Sequence, residues 1–508
     1  MRALFFSCCF LFLFGLSAQG EVHFERPFHV AGEVAWFSAY PAGEVLPARV
    51  RVSVHKPSGE LLDYFFLTED DGAYRGYYRW PFTTETGYYR LHLSALTADE
   101  RVVSLGTARH RVFADKRVDG SGPAAPFFAA NKGSDLQLSV ADGKVTVEGL
   151  KGEPFSISAV QRGVVPAGRT TVPLTDAQPA PAYTDTLFYR AKLTAADGTP
   201  LATNLLPVVD PRTLRFGFTK AAADGTFNYY AAPFEGEKTV YVRDVDDRDV
   251  KPVLEVPTLP AITESPRITD DVAAYIDLAR RRRKIYQLFA TVETELNVSP
   301  TPEERRALDP SRSFRVQDYK KFPDMFNFFK EVAGELRVRQ KKDNYTARLY
   351  NAPTQRYFTG SPLYLIDGRP TRDDNFVLTL DPGNIDLLAF YYGDRKLRRT
   401  FPALGSQGVV QIETVRGIQN FPAADSDDGI TIRGLQPQAS LTARDAATSE
   451  VPAISPVLLW ETGSGSESVS IDVPASDDGG ECVVTVVVRD GRGGIRSATA
   501  TFSQPVKK

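Results

Sequence analysis

The chain has 508 residues, of which 42% are hydrophobic, and a formal net charge of −3. A nucleic-acid-binding chain usually carries a strong basic excess, so this charge balance argues against a nucleic-acid partner. The length suffices for several domains of roughly 100–200 residues. Of the three cysteines, Cys8 and Cys9 lie near the start, which leaves Cys482 without a partner for an internal disulfide.

The first twenty residues have the pattern of a secretory signal peptide. Arg2 precedes an almost wholly apolar stretch, residues 3–16, and Ala18 and Gly20 provide the small residues of a cleavage site. The alternative is an uncleaved anchor helix, but the stretch is shorter than the roughly 20 residues that a membrane span needs. We therefore expect residues 1–20 to be removed and the rest to be exported, to the periplasm, the outer membrane or the cell surface.

Residues 21–115 are predicted to form a β-sandwich. Val50, Val52 and Val54 alternate with polar residues, as a strand with one buried face requires. Turn-forming residues separate this run from the next strands. A linker rich in Gly, Pro and Ala then covers residues 119–126.

Two further β modules are predicted after the linker. Short alternating runs, such as Val145 and Val147, predict a module at 130–180. Residues 183–250 have the same character, and Asp224-Gly225 marks a turn that leads into a strand.

The periodicity changes near residue 266. A proline-rich segment ends there, and Val272, Tyr275, Ile276 and Ala279 follow at helical spacing. Thr269 and Asp270 supply capping oxygens. We predict a helical connector over 266–300, with its helix at about 270–290.

A small α+β domain is predicted at 313–417, followed by a last β-sandwich at 430–508. The apolar spacing from Phe322 to Leu336 predicts a helix that ends near Gly334. Leu363–Ile366 and Val409–Ile412 are strand candidates. The predicted fold class is thus mainly β and multi-domain, with tandem β-sandwiches, one α+β domain and a connecting helix.

Two resemblances to known families accompany this pattern. Arg26-Pro27, Gly32-Glu33, Trp36-Phe37 and Tyr40 resemble the opening strands of the second macroglobulin domain of alpha-2-macroglobulin-type proteins, with Ala31 where proline is usual. This resemblance covers about 90 residues and implies a β-sandwich without an activity of its own.

The second resemblance lies in the α+β segment. Residues 325–338, Pro362–Pro370, Leu380–Ile385 and Gly405–Ile412 resemble, in order, the motifs of the plug domain of TonB-dependent outer-membrane receptors. Too few residues follow for a receptor barrel, so an orphan plug is expected. Residues 219–230 also resemble, more weakly, carboxypeptidase-regulatory-like β modules.

No catalytic constellation is predicted. All five histidines, His23, His29, His55, His92 and His110, precede residue 111 and are interpreted as surface or strand residues. Without later histidines, a Ser-His-Asp triad or a Cys-His pair has no partner in most of the chain. Cys482 is interpreted as a buried strand residue, not the cysteine of a thioester, and Ser464 as part of a flexible Gly/Ser loop.

Two acidic clusters could bind Ca²⁺ through hard oxygen ligands. Neither has a glutamate at the twelfth position of a helix–loop–helix site, so solvated turns are the favoured interpretation. No catalytic, cofactor or metal site is therefore predicted. The clusters are Asp244, Asp246, Asp247 and Asp249, and Asp425, Asp427 and Asp428.

Two other groups have a structural and a functional interpretation. The basic run Arg280–Lys284 fits a solvated helix with pairs to Asp277, or a contact with acidic lipid headgroups. Aromatic groups, at Trp36–Tyr40, Tyr64–Phe66 and Tyr74–Trp80, fit core packing, or an exposed patch for a partner.

Three functions follow in order of support from the sequence. The first is an exported, non-catalytic protein-binding or structural module that docks on an envelope protein, for example an outer-membrane barrel, with peripheral membrane association at most. The second is an accessory protein that binds a glycan or small ligand. The third is an enzyme whose carboxylates meet at a domain junction. No cofactor is expected for the first.

Overall fold

The computed structural model describes most of the chain after residue 19. The described residues are 20–123, 135–141, 143–162, 164–211, 213, 215–244, 250–292, 296–298, 309–392, 399, 401, 403–415, 428–441, 443–490 and 494–504. The predicted signal peptide, apart from Gly20, lies outside them.

Strands are the most frequent elements among the described residues, and α-helices are few. The first strands are β1 Glu21–Phe24, β2 Phe28–Val30, β3 Val34–Tyr40, β4 Arg49–His55, β5 Leu61–Asp70, β6 Ala73–Arg79, β7 Gly87–Leu96, β8 Val102–Phe113, β9 Gln137–Ala141, β10 Lys144–Glu148, β11 Phe155–Gln161 and β12 Thr171–Pro173. Then follow β13 Leu187–Ala195, β14 Thr203–Asp210, β15 Arg215–Ala221, β16 Thr226–Ala231, β17 Glu237–Val242, β18 Val250–Glu255 and α1 Asp270–Leu288. The next are β19 Leu296–Val298, β20 Arg312–Arg315, α2 Met325–Glu331, β21 Leu336–Lys341, β22 Asn344–Asn351, β23 Arg356–Tyr357, β24 Leu363–Ile366, β25 Arg369–Thr371, α3 Asp374–Leu378, β26 Ile385–Tyr391 and β27 Val409–Thr414. The last are β28 Gly429–Arg433, β29 Ala439–Leu441, β30 Val457–Gly463, β31 Ser468–Asp472, β32 Gly480–Arg489 and β33 Ile495–Gln504.

The mainly β, multi-sheet fold class is confirmed. Helix α1 spans Asp270–Leu288, as the helical spacing predicts, and β24 coincides with the predicted strand Leu363–Ile366. Helix α2 is shorter than predicted, since it starts after Asp324, whose side chain accepts the Asn327 N–H.

The chain divides into two compact units. Unit 1 comprises residues 1–185, 258–300 and 435–508, and unit 2 comprises residues 186–257 and 301–434. Each unit is therefore discontinuous in sequence, whereas the sequence analysis predicts a string of consecutive domains.

The N-terminal strands of unit 1 form one nine-stranded sheet. Its order is β12-β1-β3-β6-β5-β4-β7-β8-β2. The long strand β5 connects the strands on either side of it. It pairs with β4 along most of its length and with β6 only through its last two residues, Glu69 and Asp70. One core includes Phe37 of β3, Val52 of β4 and Trp80.

The predicted modules 130–180 and 430–508 differ from the structure in one respect: they form sheets together. Strand β11 lies between β30 and β32, and β10 pairs with β31. One core contains Val145, Ile157, Val484 and Val486. The physical reason is size: the strands from 137 to 161 alone cannot cover their own apolar side, and alternation reveals a buried face without revealing its partner.

Unit 2 begins with two small antiparallel sheets, β16-β13-β18 and β15-β14-β17-β28. Strand β28 therefore belongs with the segment predicted at 183–250, although the sequence assigns it to the last sandwich. Its pairing with β17 places Ile432 opposite Lys238 and Ile430 opposite Val240.

The remainder of unit 2 is an α+β substructure. A five-stranded sheet, β20-β26-β27-β24-β25, and a three-stranded sheet, β21-β22-β23, enclose a core with α2 and α3. Phe328, Phe329, Leu349 and Phe390 are all fully buried in that core. The fully or largely buried residues of this core lie between Phe314 and Ile412.

Candidate functional site

The histidines lie in strands, which is one of the two predicted positions, and most of them are buried. His23, His29, His55 and His110 are each at most 1% exposed. Each lies within or beside an aromatic or aliphatic core, and the strand alternation that locates them cannot tell a buried polar residue from an exposed one.

His29 is the centre of a buried chain of hydrogen bonds in unit 1. Its Nε2 lies 2.6 Å from Glu25 Oε1, and its Nδ1 lies 2.7 Å from His110 Nε2. A neutral His29 that donates Nε2–H to the Glu25 carboxylate must accept at Nδ1, so His110 then donates its Nε2–H. Glu25 also accepts the backbone N–H of Trp36.

Glu33 organises the charges beside this chain. It accepts hydrogen bonds from Arg26 at 3.3 Å, Tyr275 at 2.8 Å and the backbone N–H of Val30 at 2.7 Å. The guanidinium of Arg282 lies 3.6 Å from the same carboxylate and 5.1 Å from the Tyr275 ring. The group thus ties α1 to the loop between β2 and β3.

Burial and charge shift the pKa values in this cluster in opposite directions. Burial raises the pKa of Glu25 to about 7, although Arg26 opposes the shift. Burial holds the pKa values of His29 and His110 well below their ordinary range. For Glu33, burial acts to raise the pKa, but Arg26 and Arg282 outweigh it and the net pKa is lowered.

The cluster has the residue types of a proton relay, but solvent does not reach it. Glu25 and His29 are fully buried, and Arg26 and Glu33 are 4% and 6% exposed. A substrate has no access to such groups in this conformation. The arrangement therefore holds β1, β2 and α1 together, and sequence reasoning missed it because its charged residues come from segments about 250 residues apart.

The predicted position of Cys482 is confirmed. It is fully buried in β32, and burial raises the pKa of its thiol to about 11, which suppresses the nucleophilic thiolate. Ser464 is in the loop between β30 and β31, where its hydroxyl donates to Asp71.

Only Asp244 and Asp428 of the two acidic clusters lie within the described residues, and the solvated-turn interpretation is wrong for both. Each is 1% exposed. Asp428 pairs with Arg243 at 3.1 Å and lies 3.7 Å from Arg369. Among the described residues, no group of three or more His, Cys, Asp or Glu side chains is placed to hold a metal ion.

The basic run on α1 is only partly solvated. Arg280 pairs with Asp277 at 3.8 Å, as predicted, but Arg282 is 1% exposed and belongs to the Glu33 cluster. Arg283 and Arg280 both pair with Asp115. The side chains available to lipid headgroups are therefore fewer than the sequence suggests.

The three aromatic groups pack in the core, as predicted. Phe37, Tyr40, Phe66 and Tyr74 are fully buried, and Trp80 is 1% exposed. The alternative of an exposed aromatic patch at these positions is excluded.

Unit 2 carries an exposed group of like charges on the sheet β21-β22-β23. Arg337, Arg339 and Lys341 project from one side of β21, and Arg348 lies directly across from Arg337 on β22. Tyr350 and Tyr357 extend the same side, with ring centroids 5.2 Å apart. We call this side the basic sheet face; its residues are Arg337, Arg339, Lys341, Asn344, Thr346, Arg348, Tyr350 and Tyr357.

The charges of the basic sheet face are not neutralised locally. No carboxylate of the described residues pairs with Arg337, Arg339, Lys341 or Arg348, and the Arg337 guanidinium lies 5.6 Å from the centre of the Tyr357 ring. Like charges directly across a strand pair are destabilising. The repulsion between Arg337 and Arg348 therefore raises the free energy of the folded sheet.

Helix α3 binds the side of β22 that faces away from β21. Asp374 accepts the Ala347 N–H at 3.0 Å and the hydroxyls of Ser361 at 2.6 Å and Tyr364 at 2.8 Å. Asn375 accepts the Tyr345 N–H at 2.7 Å. The helix thus satisfies the donors of β22 that point away from β21.

We expect Asp374→Ala to destabilise this region by about 3 kcal/mol, because it leaves the buried Tyr364 hydroxyl and the Ala347 N–H without an acceptor. Hydrogen exchange of residues 344–351, measured by mass spectrometry, should accelerate about a hundredfold. Asp386→Ala, at an exposed position in the same unit, is the control. Equal exchange in the two variants would contradict this role of Asp374.

Each unit has a surface hollow. One, in unit 2, has a volume of about 420 Å³ and includes Arg356, Tyr357, Phe358 and Gln407 in its wall. The other, in unit 1, lies between the loop 165–171 and strands β32 and β33. Neither wall contains a carboxylate or a histidine, so neither supports acid–base catalysis by two carboxylates.

Comparisons with known proteins show only remote likenesses. No family model matches the chain, and no curated protein matches it. Solved structures that align include Salmonella alpha-2-macroglobulin reacted with methylamine, at 11% identity and a TM-score of 0.24, over 96% of this chain and 40% of that one. Escherichia coli alpha-2-macroglobulin activated by porcine elastase aligns at 11% identity and a TM-score of 0.24, over 96% and 44%.

A third structure is a tetra-tandem repeat from the extending region of a large adhesion protein. It aligns at 10% identity and a TM-score of 0.15, over 94% of this chain and 97% of that one. The chain spans less than half the length of the two macroglobulins. Values this low do not establish a common fold, and the macroglobulin and plug resemblances stay predictions.

Within the described residues, every helix is too short or too polar to cross a membrane.

Proposed function

We propose that this chain is an exported, non-catalytic protein of the cell envelope that binds another envelope protein through the basic sheet face. The observation that carries the proposal is the exposed set Arg337, Arg339, Lys341 and Arg348, which has no carboxylate partner among the described residues. Export rests on the apolar leader, residues 3–16, and the resemblance of 325–412 to a receptor plug makes an outer-membrane barrel one candidate partner.

The ionisable groups elsewhere support binding over catalysis. The residues best suited to move protons, Glu25, His29 and His110, are enclosed and engaged with each other. General acid–base catalysis needs such a group within hydrogen-bond reach of a substrate. The basic sheet face, by contrast, is open, and charge complementarity at a surface of this kind sets partner choice and association rate.

The proposal is tested with a charge-reversal variant of the full mature chain. The face variant reverses three charges of the basic sheet face and carries Arg337→Glu/Arg339→Glu/Lys341→Glu. The control variant makes the same change of net charge on other strands of unit 2 and carries Lys192→Glu/Lys220→Glu/Lys251→Glu. Each chain is crosslinked in envelope extract, and the captured proteins are quantified by mass spectrometry.

We expect a defined set of envelope proteins to be captured by the native chain and by the control, with at least a tenfold loss in the face variant. Equal capture by all three chains would refute the assignment of the face. Both variants must first show native unfolding curves, so that a loss of capture reports binding and not misfolding.

A further inference from the structure

Strand β21 is the outer strand of the sheet β21-β22-β23, and its outward edge carries main-chain groups that lack a strand partner. In an antiparallel pair, residues alternate between those that bond to the neighbouring strand and those that point away from it. Ala347 and Tyr345 donate their N–H groups to Asp374 and Asn375, so they do not bond to β21.

The register then identifies the outward groups of β21. Val338 pairs with Ala347 and Gln340 pairs with Tyr345, so both belong to the non-bonded class. Their N–H and C=O groups point away from β22. Among the described residues, no backbone hydrogen bond occupies either residue on that side.

The side chains of β21 determine which kind of extended segment can pair with its outward edge. Arg337, Arg339 and Lys341 alternate with the outward residues and stand about 6.8 Å apart along the strand. Basic side chains on an edge strand discourage pairing with an uncharged or basic strand. An extended segment with an acidic residue at every second position would instead place its carboxylates beside these cations.

We propose that an extended acidic peptide segment of the partner adds as a strand to the edge of β21, bonded through Val338 and Gln340. This inference rests on the proposed function and specifies how the partner binds to the basic sheet face. Main-chain bonds then supply affinity, and the carboxylates beside Arg337, Arg339 and Lys341 supply selectivity. Neutralisation of Arg337 and Arg348 relieves the repulsion between them.

The test uses the full mature chain and a fluorescent, capped octapeptide of alternating Glu and Val, with binding followed by anisotropy. Gln340→Pro removes one outward N–H without removing a bond to β22. Gln340→Ala retains that N–H and is the matched control. A second peptide, N-methylated at its valines, keeps its charge but cannot donate main-chain hydrogen bonds to Val338 and Gln340. A sulfated oligosaccharide supplies a non-peptide polyanion.

We expect the octapeptide to bind the native chain and Gln340→Ala equally, and Gln340→Pro and the N-methylated peptide to bind about tenfold more weakly. Peptide binding should also slow hydrogen exchange in residues 336–341 of the native chain, a result that needs no variant. Binding should weaken strongly between about 0.05 and 0.5 M salt.

The two proposals fail in different ways. If the charge-reversal variant loses the octapeptide but Gln340→Pro and the N-methylated peptide bind normally, the face is a binding surface and strand addition is refuted. If the oligosaccharide binds and the octapeptide does not, the peptide partner is refuted. If charge reversal changes neither probe binding nor envelope capture, both proposals fall.

Discussion

Glu33→Ala should lower the free energy of unfolding of unit 1 by about 3–5 kcal/mol, because it leaves two buried guanidinium groups without their shared carboxylate. Arg26 lies 3.3 Å and Arg282 3.6 Å from Glu33, and both arginines are almost fully buried. The Tyr275 hydroxyl and the Val30 N–H lose an acceptor as well.

The measurement can be made on unit 1 alone within the full chain. All three tryptophans, Trp36, Trp80 and Trp460, belong to unit 1, so tryptophan fluorescence during urea unfolding reports on that unit. Glu60→Ala removes a carboxylate that is 64% exposed and should change stability by less than about 0.5 kcal/mol. A loss for Glu33→Ala no larger than for Glu60→Ala would show that the cluster contributes nothing to stability.

Acid should destabilise unit 1 well above the pH at which ordinary carboxylates titrate. Burial lowers the pKa of His23 to about 3 and that of His92 to about 4, and it places those of His29 and His110 well below 6.5. From pH 6.5 down to about 4, the unfolded chain therefore binds protons at these four histidines that the folded chain does not. Stability is present above pH 6.5 and is lost as the pH falls.

Glu25 acts in the opposite sense. Its raised pKa of about 7 means that, from about pH 4.5 to 7, the folded chain holds one proton that the unfolded chain releases. At these five groups, four histidine protons against one carboxyl proton leave a net uptake of about three on unfolding. Burial also lowers the pKa of His55, which adds to this uptake, and raises the pKa values of Glu461 and Asp478, which subtracts from it. The free energy of unfolding should then fall by about 4 kcal/mol per pH unit near pH 5.5.

Urea unfolding followed by tryptophan fluorescence at a series of pH values from 8 to 4.5 measures this slope. His23→Gln should reduce it by about one proton, or about 1.4 kcal/mol per pH unit. The glutamine amide can still bond to Ser156, which lies 2.7 Å from His23 Nδ1. A free energy of unfolding that stays constant or rises on acidification would show that these histidines titrate normally in the folded chain.

The sequence by itself determined the fold class and most local elements. Alternation of Val50, Val52 and Val54 located a strand, and the spacing of Val272, Tyr275, Ile276 and Ala279 located α1, because burial of one face imposes a period of two on a strand and 3.6 on a helix. The buried state of Cys482 and of the aromatic groups also followed from local pattern.

Only the tertiary structure decided which segments pair and which charges are buried. Strands β10 and β11 pair with β31 and β32 from more than 300 residues away, and Glu33 lies beside Arg282, a residue about 250 positions later. The basic residues Arg337 and Arg348 are visible in the sequence, but their shared face depends on the register of β21 against β22. Periodicity records whether a position is buried, whereas pairing depends on contacts between distant segments, which a single sequence does not encode locally.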